Sequence, residues 1–379
     1  MFSPYSLTIP GGVQNQVMAL ARTLRATGIE VRVLGPCDGP PPATFVTPLG
    51  NSLPTSANGS IAPLAPDPSA SLRTIRALLD EQFDVIHLHE PYAPGPTMTA
   101  LVVHPAPIVA TFHAAGGSKS YELLAPLIRW WGAGAVSHAV VVSEDAQDLV
   151  RTAVPDADYE MLYNGIELHR YRSAEPTPTD GPTIFFCGRH EERKGLEVLL
   201  QAMPQLGADV RLWVAGSGPD SERLRTTYGD DARIEWLGQV SDEEKFSRLR
   251  GADMFCAPSL RGESFGVVLI EAMAAGATVV ASALDGYRNV ATDDVDALLV
   301  EPGDVDLLAK ALDRVLGDPA LAARLRAAGE RRADDFSMDR LAARYAEIYE
   351  SLAAQGRERS PWLLRASLLR HRLPRTLSR

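Results

Sequence analysis

Two glutamates with seven residues between them, Glu263 and Glu271, stand in the segment Gly262-Glu263-Ser264-Phe265-Gly266-Val267-Val268-Leu269-Ile270-Glu271-Ala272-Met273-Ala274-Ala275-Gly276. The apolar run predicts a helix over Phe265–Ala275. A helix start beside glycine presents free backbone N–H groups and a partial positive charge, which suits a diphosphate. On such a helix Glu263 can reach sugar hydroxyls at the start and Glu271 a ribose diol about two turns on. A buried helix with a capping acid would show the same letters. Arg189 and Lys194 stand in Gly188-Arg189-His190-Glu191-Glu192-Arg193-Lys194-Gly195, between a strand end and a helix start. Cations there can neutralise charge on a leaving nucleoside diphosphate without a metal. Alone they are ordinary surface charge; at the equivalent end of one sheet as the glutamates, they complete a site.

Short β-rich runs alternate with helical periodicity along the whole chain. The strands expected first are Val31–Leu34, Asp84–His89, Ile108–His113 and Ala139–Ser143. After the Pro/Thr-rich stretch Glu175–Pro182 come Thr183–Cys187, Val210–Ala215, Ile234–Leu237, Met254–Ala257, Thr278–Ala281 and Ala297–Val300, with helices at Lys194–Leu206 and Val305–Leu316 among others. Strict alternation implies parallel sheets flanked by helices, with ligands beyond the carboxyl ends of the strands. The expected class is α/β: two Rossmann-like domains facing a cleft. The expected spans are residues 1–170 for an N-terminal Rossmann-like domain, 171–182 for a linker and 183–336 for a C-terminal Rossmann-like domain. A helix over 337–355 returns toward the N-terminal domain, and a basic tail covers 356–379. The chain opens on Met1-Phe2-Ser3-Pro4-Tyr5-Ser6, which reads as the loop after a first strand, so the first strand looks truncated and the natural start is expected upstream of Met1.

With 379 residues and 45% apolar content, the chain can fill two cores. The net charge of −11 argues against a nucleic-acid partner. Without an 18-residue apolar run or a signal-peptide pattern, a cytoplasmic or peripheral protein is expected, possible at the inner face of the membrane. Cys37, Cys187 and Cys256 lack paired spacing and read as reduced core residues. Beyond Gly356, Arg357, Arg359, Arg365, Arg370, Arg372, Arg375 and Arg379 face one acid, Glu358, with leucines interleaved. That tail suits an anionic membrane surface or plain solvent. Asp294-Val295-Asp296 has the letters of a metal-binding DxD but precedes the strand Ala297–Val300, and Gly216-Ser217-Gly218 is half a dinucleotide fingerprint. Ser241-Asp242-Glu243-Glu244 has capping-box spacing.

Arg189-x4-Lys194 with Glu263-x7-Glu271 resembles the signature of retaining GT-B glycosyltransferases of family 4. Pro4-Tyr5-Ser6, Pro10-Gly11-Gly12-Val13-Gln14, His87-Leu88-His89-Glu90-Pro91, Ala110-Thr111-Phe112-His113, Leu237-Gly238-Gln239-Val240 and Gly262–Gly266 are most similar to bacterial phosphatidyl-myo-inositol mannosyltransferases. The resemblance implies a nucleotide-sugar donor, GDP-mannose, with no metal or other cofactor. It places the Gly11-Gly12 turn on the donor phosphate and His113 on the transferred sugar. Arg189 and Lys194 match the diphosphate clamp. Glu263 matches the sugar-contacting acid, with Ser264, Phe265, Gly266 and Val267 beside it, and Glu271 matches the ribose acid. Val240, Asp242 and Lys245 line the base and ribose pocket. His113, Arg189, Lys194 and Glu263 are the expected catalytic set, without a catalytic base.

For the acceptor, the resemblance implies a lipid or polyol; Tyr5 is expected to contact it, and Lys119 and Arg193 are the cations of this chain expected to serve it. The arginine expected after Asn58-Gly59-Ser60 reads as Pro63, the loop Ala114–Lys119 is one residue longer than in the family, and the basic membrane helix keeps only Arg73 and Arg76. The resulting expectation is mannosyl transfer to a phosphatidylinositol-like lipid. The alternatives are a soluble acceptor, such as inositol phosphate or a glycan, and a nucleotide-sugar 2-epimerase of the same fold.

Overall fold

A computed structural model describes residues 1–9, 11–57, 60–114, 128, 133–263 and 265–355. The chain forms two compact units: Met1–Gly165 together with the chain from Met338 onward, and Ile166–Ser337.

The first unit contains the parallel strands β1 (Val33–Gly35), β2 (Val46–Pro48), β5 (Ile86–His89), β6 (Ile108–Phe112), β7 (His138–Val141) and β8 (Tyr159–Met161). β3 (Leu53–Ala57) and β4 (Ser60–Leu64) form a separate antiparallel hairpin. Phe2 bridges Leu34 of β1 and Leu88 of β5, both in parallel. Its N–H donates to His87 O at 2.7 Å and its carbonyl accepts His89 N–H at 3.1 Å, while Leu34 N–H donates to Met1 O at 2.8 Å. Residues 1–3 therefore hold the centre of the sheet between β1 and β5, and Phe2 is fully buried there. Tyr5 leaves this strand position and bridges Leu64 of the hairpin.

The second unit is a six-stranded parallel sheet in the order β11-β10-β9-β12-β13-β14. Its strands are β9 (Thr183–Cys187), β10 (Arg211–Ala215), β11 (Ile234–Gly238), β12 (Met254–Ala257), β13 (Thr278–Ser282) and β14 (Leu298–Val300). Two apolar cores cover its faces, one around Phe185, Trp213 and Leu269 and the other around Ile184, Leu212 and Leu312. The helix Val267–Ala275 is buried on nearly every side, which explains its unbroken apolar sequence.

The expected boundaries shift. Ile166, Leu168 and Tyr171 bury in the core of the second unit, so its first element is the helix Leu168–Arg172 and not β9. Residues 166–172 thus belong to a packed unit, because their apolar side chains have a core to enter. The helix Met338–Ala354 belongs to the first unit, where Met338, Ala342, Tyr345, Ile348 and Leu352 pack in one core with Val17, Leu20 and Leu24 of the helix Gly12–Ala26. Expected strand ends also contract: His113 and Ser143 lie just beyond β6 and β7, and Ser143 caps the helix Glu144–Ala153 by accepting Ala146 N–H.

Candidate active site

In the second unit the site is assembled from loops at the carboxyl ends of β9, β11 and β12. Gly195 has φ +67°, and a side chain there would collide with Pro258 O, so glycine lets the β9 loop lie directly on the β12 loop. Leu260 N–H donates to Arg193 O at 2.7 Å across the same contact. This places Lys194 Nζ 2.6 Å from Glu263 Oε1. Ser259 Oγ donates to the same oxygen at 3.0 Å and lies 3.0 Å from Tyr287 Oη. Burial first, and then the Glu263 charge, raise the Tyr287 phenol above its ordinary range, so it stays neutral.

Arg193 reaches Gly262 O at 3.2 Å and Glu263 Oε1 at 3.5 Å, while its Nε pairs with Glu191 Oε1 at 2.7 Å. Arg189 is 70% exposed and only 3.7 Å from Glu191, so its guanidinium points outward rather than into the Lys194–Glu263 pair. Gly266, at φ +84°, ends the loop and caps the helix Val267–Ala275; a Cβ there would press on the Tyr287 ring at 2.8 Å. Phe265 is buried edge-on against Phe336, and Val267 packs partly buried against the core, so the side chains of both are taken up by packing. Ser264 lies outside the described residues.

One helical stretch further, Glu271 Oε1 accepts Lys245 Nζ at 2.9 Å and Tyr171 Oη at 2.7 Å. Burial opposes the Lys245 charge, but the charge and hydrogen bond of Glu271 with the nearby Cys187 and Asp242 together outweigh it, and the ammonium pKa is raised. Burial and then Glu271 raise the Tyr171 phenol, leaving it a neutral donor. Ser241 caps the helix Asp242–Gly251 by accepting Glu244 N–H at 3.1 Å, as its spacing predicts. That cap holds exposed Asp242 and half-buried Lys245 on one helix beside Val240.

The first unit supplies a different half. Gly11 is the extended N-cap of the helix Gly12–Ala26, with no side-chain cap bond, and the space where a Gly12 Cβ would stand is open. A side chain on Gly11 would run into Gln14. His113 follows β6, with its Nε2 2.9 Å from His89 Nδ1. Glu90, in the left-handed region at φ +51°, accepts the backbone N–H groups of His113 and Ala114. Desolvation lowers the His113 pKa to about 4, so the imidazole is neutral near pH 7. Tyr5 is half-buried, and burial followed by the Glu90 charge raises its phenol. Pro63 offers only its carbonyl, taken by Ser6 N–H at 2.9 Å. Lys119 lies outside the described residues, as do Asn58, Gly59 and the whole of the basic tail.

The second unit therefore brings together Arg193, Lys194, Glu263 and Gly266, and separately Val240, Asp242, Lys245 and Glu271. The first unit places His113 and Tyr5 about the same Glu90 carboxylate, and Gly11 and Gly12 at the start of a helix. Glu191, Ser259, Tyr287 and Tyr171 escape sequence reasoning, since each meets its partner through the fold; only Glu191, amid the cations of its own loop, carried a local signal.

The family model "Glycosyltransferase Family 4" matches residues 10–170, and "Glycosyl transferases group 1" matches residues 169–332. The chain is 40% identical over 372 residues to a phosphatidyl-myo-inositol mannosyltransferase of Mycobacterium leprae, covering 94% of this chain and 97% of that one. The chain belongs to the family 4 glycosyltransferases. This glycosyltransferase is also 38% identical to the phosphatidyl-myo-inositol mannosyltransferase of Mycolicibacterium smegmatis, covering 94% of each. Its fold matches that of sucrose-phosphate synthase from Thermosynechococcus elongatus with a TM-score of 0.70 at 22% identity, over 94% of this chain and 98% of that one. The two-unit α/β architecture of a GT-B enzyme, anticipated from the strand–helix alternation and the motifs, is the architecture of this glycosyltransferase.

Proposed function

We propose that this glycosyltransferase moves a mannosyl group from GDP-mannose to a phosphatidyl-myo-inositol-like lipid, with retention at the anomeric carbon. The observation that carries the reading is the 40% identity to the M. leprae mannosyltransferase along nearly the full length of both chains. The geometry supports it. Lys194 and Arg193 pair with Glu263, a carboxylate only 11% exposed. A nucleoside diphosphate brings more negative charge than one carboxylate, so it takes over these cations together with exposed Arg189. Glu263, relieved of the cations, accepts from sugar hydroxyls, and Glu271 accepts from the ribose diol while Tyr171 and Lys245 hold it.

Bond breaking leaves charge on the outer phosphate. Fixed cations and the first amides of the helix Val267–Ala275 stabilise that charge where it develops, a contribution worth several kcal/mol in typical enzymes. The departing phosphate oxygen takes the proton of the acceptor hydroxyl on the same face, so no protein base is assigned. The cations present make a metal unnecessary for this step. Within the first unit, Gly11 and Gly12 offer helix-start amides suited to a phosphate, His113 offers a sugar contact, and Tyr5 an acceptor contact. Membrane contact comes from the arginines beyond Gly356; among the described residues no helix is long and apolar enough to cross a membrane.

The deciding experiment incubates the enzyme with radiolabelled GDP-mannose, UDP-glucose or ADP-glucose, together with phosphatidylinositol vesicles or soluble inositol phosphate. Label from GDP-mannose in the lipid phase is the expected result. Label only on inositol phosphate would replace the lipid reading, a result that Pro63 in place of the family's arginine makes worth testing. Release of free epimerised sugar would point to an epimerase.

A further inference from the structure

His113 is not held alone. Its ring is the outer member of a file of three imidazoles. His87 stacks on His89 with ring centroids 4.2 Å apart and planes 28° apart, and His89 and His113 follow at 5.2 Å and 26°. His87 is pinned at both nitrogens, Nδ1 at 2.6 Å from Tyr349 Oη and Nε2 at 2.7 Å from Thr111 Oγ1. Thr111 Oγ1 is in turn 2.8 Å from Tyr345 Oη. Both tyrosines lie on the helix Met338–Ala354, so that helix fixes the inner ring, which fixes the plane of His89.

We propose that His89 is a positioning residue that keeps the proton of His113 on Nδ1, so that His113 meets the transferred sugar as a neutral hydrogen-bond donor from that atom. This rests on the reading of His113 as the sugar contact. The His89 Nδ1···His113 Nε2 bond at 2.9 Å requires one nitrogen to donate and the other to accept. The remaining nitrogen of His89 settles which. His89 Nε2 is buried and has no hydrogen-bond partner among the described residues. It belongs to a ring that lines a cavity of about 10 Å³, with Thr111, Asn164 and Tyr345, barely room for one water. A buried N–H without an assured acceptor is rarer and more costly than a buried lone pair without a donor. His89 therefore carries its proton on Nδ1 and gives it to His113 Nε2, and neutral His113 must carry its own on Nδ1.

The chemistry of glycosyl transfer gives this arrangement a purpose. The transition state is oxocarbenium-like, with positive charge building on the sugar ring. An imidazolium beside it would repel that charge, whereas a neutral N–H donor can orient a hydroxyl without adding a cation. Desolvation, which lowers the pKa of all three histidines, keeps the file uncharged.

The test is nitrogen-15 NMR of the full chain labelled in histidine, with the His113 signals assigned by their loss in His113→Gln. The native enzyme is expected to show a protonated Nδ1 and a bare Nε2 on His113. His89→Leu should mix or reverse these and lower kcat about 10- to 100-fold with donor KM changed less than about threefold. His89→Asn, whose amide nitrogen can occupy the place of Nδ1, should restore both the tautomer and most of the rate. A native His113 protonated on Nε2 overturns the proposal, as does native turnover and tautomer in His89→Leu. If the leucine variant does not fold, the native spectrum and the asparagine variant decide. Near-native turnover in His113→Ala would instead break the underlying reading of the sugar contact, while leaving the tautomer result intact.

Discussion

The two units hold their clustered polar groups by opposite means. In the second unit the groups are ions already paired with one another: Lys194 with Glu263, and Lys245 with Glu271. In the first they are neutral imidazoles and phenols joined in a buried file, with the backbone N–H groups of His113 and Ala114 given to Glu90. A diphosphate must be met by charge, and charge can wait in a partly dry cleft only beside a counter-charge. A sugar ring that turns positive is better met by neutral donors. On the proposed function, the second unit recognises the leaving group and the first accommodates the transferred group.

The sharpest way to break this comparison is to remove a cation. Lys194→Ala is expected to lower kcat about 10²- to 10³-fold in a steady-state transfer assay while the thermal midpoint moves little, because the residue stabilises the leaving group rather than the core. Turnover near the native rate would remove the second unit from the chemistry. A smaller effect is expected one step out. Tyr171→Phe deletes the phenol that steadies Glu271 and should weaken nucleotide affinity about 3- to 10-fold by calorimetry with kcat nearly unchanged. Unchanged affinity would show that Lys245 alone suffices.

The pH dependence of stability separates the units by sign. His87, His89 and His113 have pKa values below their ordinary 6.5 in the fold, His113 near 4, so the unfolded chain binds more protons between those limits. Their stabilisation is complete above pH 6.5 and is lost as the pH falls toward 4, by up to about 1.4 kcal/mol per pH unit for each histidine. Lys245 is raised above its ordinary 10.5, so its contribution is present below that pH and is lost as the pH climbs through the raised value. Thermal unfolding at stepped pH should therefore show an acid limb relieved by His87→Phe and an alkaline limb relieved by Lys245→Met. An acid limb unchanged by the histidine substitution would mean that other groups drive it. The smallest expected effect is that of chelation: EDTA in the transfer assay should leave the rate within about twofold, in keeping with cations as the electrostatic stabilisers, and a large loss would require a metal. Removing residues beyond Gln355 should reduce sedimentation with anionic liposomes, while equal sedimentation would relieve the tail of that role.

Much of the fold could be read directly. Thr183–Cys187 and Met254–Ala257 are strands over the spans their apolar runs predict, and Ser241 caps where its spacing says it should. Strands β2, β3, β4 and β8 were not legible. β2, β3 and β4 carry Pro48, Pro54 and Pro63, which removes the signal of a ladder strand, and β8 (Tyr159-Glu160-Met161) has a charged centre and no fully buried residue. The helix Leu168–Arg172 straddled the expected boundary between the N-terminal domain and the linker because five residues cannot display a period.

By itself the sequence determined the chemistry held within single segments: the cations and the glutamates, the glycines that bring backbone amides to the surface, and the alternation that sends loops to one end of a sheet. Such features are set by neighbours a few residues apart, where backbone geometry alone fixes the outcome. Only the tertiary structure decided that Glu263 is held by Lys194, Arg193 and Ser259, that Tyr171 steadies Glu271 across 100 residues, and that Tyr349 braces His87 across 262. Those partners meet because apolar cores bring distant strands and helices together, and a side chain's pairing follows from that packing rather than from its own neighbours in the chain.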